Sequence, residues 1–189
     1  VTYIKDYGIP IVGVNTGRLG FLSTFKKENV RKLVTEFEAG HYTVEERSLV
    51  EVELNSELEE FNGLNFALNE ITVSRKDTTS MITVETWLDD EYLTSYWSDG
   101  LIVSTPTGST GYSLSCGGPV IAPSAKSLVL TPIAPHNLNA RPLVISDTTQ
   151  IRLKVSGREQ THLVSLDSRI ADISNGKEIR IKKAGFTIK

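Results

Sequence analysis

From Tyr42 onward apolar side chains recur at every second position, and that period of two limits what the chain can fold into more than any other feature. Val50, Val52 and Leu54 alternate with Glu51 and Glu53. Ile82, Val84, Thr86 and Leu88 follow the same rule, as do Ile151, Leu153 and Val155, then Ile179 and Ile181. Successive side chains of a strand point to opposite faces, so each run predicts a strand with one face in a core and the other in solvent. Shorter candidates cover residues 68–74, 92–97, 101–104, 128–133, 143–146 and 162–166, parted by Asp-Asp, Asp-Gly, Pro-Thr-Gly and Asn-Gly turn signals. About ten strands with turn signals every ~8 to 12 residues predict a mainly β chain, a β-sandwich or a related all-β architecture. Only residues 113–127 interrupt the pattern, and they support at most a helical turn and a loop.

The first 41 residues have a different character. Ile9-Pro-Ile-Val-Gly-Val14 is a short apolar run of the kind buried on both faces, with the proline tolerated only near its start, and it predicts a parallel strand. The segment Asn15-Thr-Gly-Arg-Leu-Gly20-Phe-Leu22 follows as a two-glycine turn. Residues 26–39 then carry Val30, Leu33, Val34 and Phe37 at helical spacing, closed by Gly40. A parallel sheet cannot stand on one strand. The expected division is therefore residues 1–41 as the remnant of an α/β N-terminal domain, its last strand and helix, and residues 42–186 as an all-β domain.

Charge and composition exclude several function classes. Twenty Lys and Arg against twenty-three Asp and Glu give a net charge of −3, and the densest basic groups are only the pairs Lys26-Lys27 and Lys182-Lys183. Without a cationic stripe no nucleic-acid partner is expected, although a small anionic ligand remains open. Apolar runs stop at Pro, Ser or Thr far short of the ~20 residues of a bilayer helix, so no membrane partner is expected either. One cysteine, Cys116, excludes an internal disulfide and a multi-Cys zinc site, and three scattered histidines argue against a His-only site. With no signal peptide at the start, the cytoplasm is the expected location.

The most informative stretch is Asp99-Gly-Leu-Ile-Val-Ser-Thr105-Pro-Thr-Gly-Ser-Thr-Gly-Tyr-Ser-Leu-Ser-Cys-Gly-Gly-Pro119, a buried strand followed by a loop of hydroxyls and glycines. Glycines let backbone approach a ligand closely, and hydroxyls with free N–H groups at a helix start offer donors to phosphate oxygens. Tyr112 adds an aromatic face for stacking. The segment is neither a Walker loop nor a Gly-x-Gly-x-x-Gly fingerprint, and by composition alone it is equally a long surface turn. Asn69 and Glu70 place an amide beside a carboxylate at the edge of an apolar strand, a pair able to hold a ribose diol. Taken alone, Asp99-Gly100 reads as a type I′ hairpin turn and Asp167 as a turn residue.

Several of these segments, in this order, resemble the NAD kinases, the ATP- or polyphosphate-dependent NAD 2′-phosphotransferases. They are Ile11-Val-Gly-Val-Asn-Thr-Gly-Arg-Leu-Gly-Phe-Leu22, Leu68-Asn-Glu70, the run from Asp99 to Tyr112, and Thr131-Pro-Ile-Ala-Pro-His136 with Arg141-Pro-Leu-Val downstream. The resemblance extends over almost the whole chain. It implies a NAD kinase-type β-sandwich C-terminal domain that phosphorylates the adenosine 2′-hydroxyl of NAD to make NADP. It further implies that Asn69 and Glu70 bind the NAD adenosine near its ribose. Asp99 would contact the nicotinamide side, and Thr107 with Thr110, Gly111, Tyr112, Ser113, Leu114 and Ser115 would surround the dinucleotide. Ala134 and Arg169 would supply further contacts, often across a subunit interface. The implied partners are NAD and ATP or polyphosphate, the implied cofactor a divalent metal of the magnesium type (Mg2+) carried with the donor, and the implied assembly a homodimer or homotetramer. A diacylglycerol or sphingosine type of lipid kinase and a non-catalytic dinucleotide sensor are the alternatives. The run 105–112 together with Asn69-Glu70 speaks against the lipid kinase.

The chain departs from the family pattern in places. Gly111 stands where the family usually has Ala, Ser98 where Gly often precedes the Asp, and Arg169 where many relatives carry Gln. The Gly-Gly-Asp-Gly signature, whose Asp is the implied general base, does not occur in these 189 residues, so no catalytic residue is assigned in this chain. Phosphoryl transfer depends on positioning and charge neutralisation. The expectation is a fragment that holds most of the NAD-binding half and is inactive alone.

Overall fold

In the computed structural model the described residues are 1–16, 25–54, 61, 63–77, 80–137 and 139–189. The chain separates into two compact units, Val1–Arg47 with Thr187–Lys189, and Ser48–Phe186.

In the first unit β1 (Val14–Asn15) pairs in parallel with β2 (Phe25–Lys26). The strand expected over residues 9–14 is thus confined to its last residue and the next. Residues 9–13 form no ladder, although the Ile11 N–H donates to the Lys189 carbonyl at 2.7 Å. Most of the two-glycine turn lies outside the described residues. A 3-10 turn (Lys27–Asn29) leads into α1 (Val30–Glu38). Gly40, at φ +74, ends it as the sequence predicts. The N–H groups of Gly40 and His41 return to the carbonyls of Phe37 and Glu36 at 3.0 and 2.9 Å, satisfying the last turn. Phe37 stacks on Tyr42 with ring centroids 5.0 Å apart.

The second unit is the predicted sandwich. Its strands are β3 (Arg47–Leu54), β4 (Phe66–Ala67), β5 (Glu70–Ser74), β6 (Ile82–Leu88), β7 (Glu91–Ser98), β8 (Gly100–Ser104), β9 (Ser127–Ile133), β10 (Leu143–Ser146), β11 (Ile151–Ser156), β12 (Thr161–Leu166), β13 (Arg169–Ser174) and β14 (Glu178–Ile188). One sheet runs β10-β9-β8-β5-β12-β13 and the other β4-β3-β14-β11-β6-β7. The alternating positions of both sheets meet in one core. Val50 and Val52, Val84, Leu153 and Val155, Ile179 and Ile181 come from one side, and Ile71 and Val73, Leu101 and Val103, Leu128 and Leu130, Val164 and Leu166 from the other. This interdigitation of two inner faces is what the period of two encodes.

The Asp89-Asp90 signal is a hairpin turn with both residues at positive φ, +50 and +65, joining β6 to β7. Asp99-Gly100 is not. β7 and β8 belong to different sheets, so the dipeptide carries the chain from one layer to the other, with the Asp99 N–H donating to Ile133 and its carbonyl accepting from Arg75, each at 2.9 Å. The buried Ser98 hydroxyl donates across the corner to the Gly100 carbonyl at 2.8 Å. Glycine is required at 100 because a Cβ there would stand 2.4 Å from the Val73 carbonyl oxygen.

Every residue of β8 is buried. Leu101 and Val103 face the core, while the chain after β8 turns back over the opposite side. It forms a 3-10 turn (Gly108–Thr110) and α2 (Tyr112–Ser115), and α2 packs on β8. The interruption foreseen around residue 113 is therefore a cap on the outer face of the sheet.

Candidate functional site

The hydroxyl and glycine loop lies against the turn that precedes β5. Thr105 makes the first connection: its N–H donates to the Asn69 carbonyl at 2.9 Å, its Oγ1 donates to the Leu68 carbonyl at 2.6 Å, and the same oxygen accepts the Gly108 N–H at 3.1 Å. The next hydroxyl inward, Ser109, donates to the Pro106 carbonyl at 2.7 Å and accepts from the Ile121 N–H at 3.0 Å, which ties the far arm of the loop down. Thr110 donates to the Thr107 carbonyl at 3.3 Å. Most of the hydroxyls that the sequence offers are thus spent on shaping the loop.

Loop and turn meet without clearance. A Cβ on Gly108 would stand 2.1 Å from the Asn69 carbonyl oxygen, so only glycine lets the backbones touch. Gly111 is looser, its nearest neighbours being the Gly108 carbonyl at 3.3 Å and Glu70 Oε2 at 3.6 Å from the same hypothetical atom. The alanine usual in the resembling family would therefore fit, resting against the Glu70 carboxyl.

Glu70 is the electrostatic centre. Its Oε2 is buried without a hydrogen-bond partner, and burial, reinforced by the nearby Asp167 charge, pushes its carboxyl up to about 7. A buried carboxyl oxygen left unpaired costs about 1–3 kcal/mol, and a ligand hydroxyl reaching it would relieve that. Tyr112 stands 46% exposed at the start of α2. Partial burial, then Cys116 and Asp99, raise its phenol above the usual value, which places Asp99 within electrostatic reach of the ring.

Asp99 is held by Arg75, whose guanidinium lies 3.0 Å from Asp99 Oδ2 with both side chains partly exposed. A half-solvated pair of this kind contributes about 1 kcal/mol or less. Arg75→Met is therefore expected to lower the urea midpoint only slightly, and a loss of several kcal/mol would show that the pair carries the sheet corner.

The structure distributes the predicted residues over four places. Asn69, Glu70, Thr107, Thr110, Gly111 and Tyr112 belong to the contact of turn and loop, with Asp99 at its side. In α2, Leu114 and Ser115 are exposed beside Tyr112, whereas Ser113 is fully buried with its hydroxyl 2.8 Å from that of Thr131, so its role is to fasten α2 to β9. Ala134 is exposed at φ +43, an uncommon conformation for a residue with a Cβ, just past the end of β9. Arg169 does not point at the loop. It donates to the carbonyls of Leu64 and Phe66, the former at 2.6 Å, and lies over the Phe66 ring, joining the edge strands β13 and β4.

Asp167 and Thr105 emerge as residues that sequence reasoning passed over for this site. The Asp167 carboxylate accepts the backbone N–H groups of Leu68, Asn69 and Glu70 at 2.9, 2.8 and 3.3 Å. A strand-end acid has many reasons to exist, and only the pairing of β12 with β5 shows where this one arrives.

The family model for the ATP-NAD kinase C-terminal domain matches residues 68–189, and that for the N-terminal domain matches residues 1–42. The chain belongs to the NAD kinase family. It is 63% identical over 188 residues to a NAD kinase of Christiangramia forsetii, covering 100% of this chain and 64% of that protein. With a NAD kinase of Flavobacterium psychrophilum it shares 61% over 187 residues, covering 99% and 64%. It thus spans just under two thirds of the length of these curated relatives. Among solved structures, yeast NADH kinase complexed with NADH superposes with a TM-score of 0.83 at 29% identity, over 95% of this chain and 54% of the other. A NAD kinase from Archaeoglobus fulgidus in complex with ATP gives a TM-score of 0.79 at 32% identity, over 95% and 67%. The mainly β architecture with two antiparallel sheets is that of these NAD kinases. Among the described residues no helix is long and apolar enough to cross a membrane.

Proposed function

We propose that this chain is the dinucleotide-binding part of an enzyme that transfers a phosphoryl group to the adenosine 2′-hydroxyl of NAD, making NADP, with ATP or a polyphosphate as donor. The observation that carries the reading is the unpartnered, buried Glu70 oxygen beside Asn69, facing a loop that only glycine at 108 allows to come so near. An amide and a carboxyl side by side can donate to and accept from a ribose diol, fixing its hydroxyls in one direction. Tyr112 offers a ring for stacking, Asp99 acts electrostatically on its phenol, and Thr107, Thr110, Gly111, Leu114 and Ser115 would surround the dinucleotide. The solved relatives named with NADH and with ATP support substrates of these classes.

What these residues do for the reaction is bind and orient. No Gly-Gly-Asp-Gly segment occurs in the 189 residues, and we assign the general base to no residue of this chain. Magnesium would arrive with the donor and neutralise charge on its phosphates. Among the described residues no group of three or more His, Cys, Asp or Glu is arranged to hold a metal, and the Asp167 oxygens are engaged by backbone N–H groups. The reading extends to a cytoplasmic homodimer or homotetramer, with a neighbouring subunit near the exposed Ala134.

Two measurements test it. In the enzyme that carries this chain, Asn69→Ala and Tyr112→Ala are each expected to raise the KM for NAD by roughly tenfold or more, since each removes an orienting contact; unchanged kinetics in both would contradict the site. The 189 residues alone are expected to form no NADP from NAD, ATP and magnesium, and measurable turnover would show that a base lies within them.

A further inference from the structure

Asp167 starts the two-residue connection between β12 and β13, 99 positions from Leu68. Leu166 pairs with Ile71 across the β12–β5 ladder, so the next residue arrives opposite Glu70. There it does more than turn the chain. Its carboxylate takes three consecutive amide groups, those of Leu68, Asn69 and Glu70, and its own N–H donates to the Glu70 carbonyl at 3.1 Å. A turn residue at φ +53 needs none of these bonds, and glycine would adopt that backbone with less strain. The other side of the same turn is gripped by Thr105, which donates to the Leu68 and Asn69 carbonyls. N–H groups are thus held by Asp167 and C=O groups by Thr105, so the peptide planes between them are anchored from both sides.

We propose that Asp167 is a positioning residue for the Asn69-Glu70 pair. Its carboxylate fixes the three amide groups so that both side chains meet a dinucleotide ribose in one orientation. The proposal rests on the dinucleotide reading above and deepens it, because it names the residue outside the loop on which the orientation depends. Asp167 also sets a like charge near Glu70, which adds to burial in raising the Glu70 carboxyl. Among the described residues, the Arg169 guanidinium also feels the Asp167 charge while bonded to the carbonyls of Leu64 and Phe66.

The test uses this chain with Asp167→Gly and Asp167→Asn, read by amide hydrogen exchange without ligand and by calorimetric titration with NAD across a range of pH. Asp167→Gly suits the backbone and is expected to unfold cooperatively, to lose exchange protection at Leu68, Asn69 and Glu70, and to bind NAD about tenfold more weakly or worse. The midpoint of the pH dependence of binding should also move to lower pH, because the like charge beside Glu70 is gone. Asp167→Asn keeps one acceptor oxygen and should fall between. Should the glycine variant fail to fold, the asparagine variant decides by the same two readouts. Parental protection, parental affinity and an unmoved midpoint would overturn the proposal and leave Asp167 a turn residue. Failure of the parent chain to bind NAD would contradict the dinucleotide reading instead, while the exchange measurement would still decide whether the clamp exists.

Discussion

Gly108→Ala is expected to remove the dinucleotide site and a large part of the stability of the sandwich domain together. The added Cβ would stand 2.1 Å from the Asn69 oxygen, 2.5 Å from its carbonyl carbon and 2.7 Å from its Cα, all backbone atoms with no rotamer to change. The Asn69 peptide cannot retreat, since the same oxygen accepts the Thr105 N–H and the neighbouring N–H groups are held by Asp167. Nor can residue 108 retreat without breaking its own bond to Thr105 Oγ1. Overpacking of this kind costs about 1–3 kcal/mol, or more where only backbone can yield. Thermal denaturation should show a Tm lowered by several degrees, and titration should show NAD affinity lost. Gly111→Ala is the control: at 3.3 Å or more from its neighbours, it should leave both nearly unchanged. A Gly108→Ala protein with parental Tm and affinity would show that loop and turn are not in contact.

The second large effect concerns Glu70 and pH. Its carboxyl is raised from 4.5 to about 7 by burial and by Asp167. Below about pH 4.5 the group is neutral in both folded and unfolded chains and burial costs nothing on this account. Between 4.5 and 7 the unfolded chain ionises and the folded one resists, so stability falls as pH rises, with the full cost present above about pH 7. A shift of this size corresponds to at most roughly 3 kcal/mol, and solvent screening of the partly open carboxyl reduces it to on the order of 1–2 kcal/mol. Glu70→Gln should therefore be more stable than the parent by about that amount at pH 8 and match it near pH 4. Urea denaturation at the two pH values checks this. Equal midpoints at both would mean that Glu70 is not buried in the ligand-free protein. The same variant should bind NAD more weakly, because a carboxyl that accepts from a ribose hydroxyl has been replaced.

Much of the sandwich was legible because its signal is local. The alternation at 50–54, 82–88 and 151–155 marks one face of each strand, and the observed strands keep those faces inward. Other features depend on partners distant in sequence. β13 was missed because Ile170 and Ala171 are adjacent apolar residues, with Ile170 exposed, which blurs the period. Asp99-Gly100 has hairpin chemistry but changes sheets, because its hydrogen bonds go to Ile133 and Arg75 rather than across a turn. The strand expected over 9–14 pairs only at its end, since an apolar run specifies burial and not a ladder partner.

The site was legible in part for the same reason. Asn69 and Glu70 stand out as an adjacent amide and carboxylate and Tyr112 as the aromatic of a glycine and hydroxyl loop, whereas Thr107 and Gly111 are singled out by the resemblance to the NAD kinases. The buried role of Ser113, the carbonyl bonds of Arg169 and the grip of Asp167 on the Asn69-Glu70 turn follow from the order of strands in the sheet, which no local pattern encodes.

The most direct test of the central claim, that the turn at Asn69-Glu70 and the loop from Thr105 to Ser115 together bind a dinucleotide, is an NMR titration of the isotopically labelled chain with NAD. Saturable shifts are expected at the amides of Asn69, Glu70, Gly111 and Tyr112, and at Asp99. No saturable shifts there, or shifts confined to the charged outer groove lined by Glu53, Arg152, Arg180 and Lys182, would contradict it.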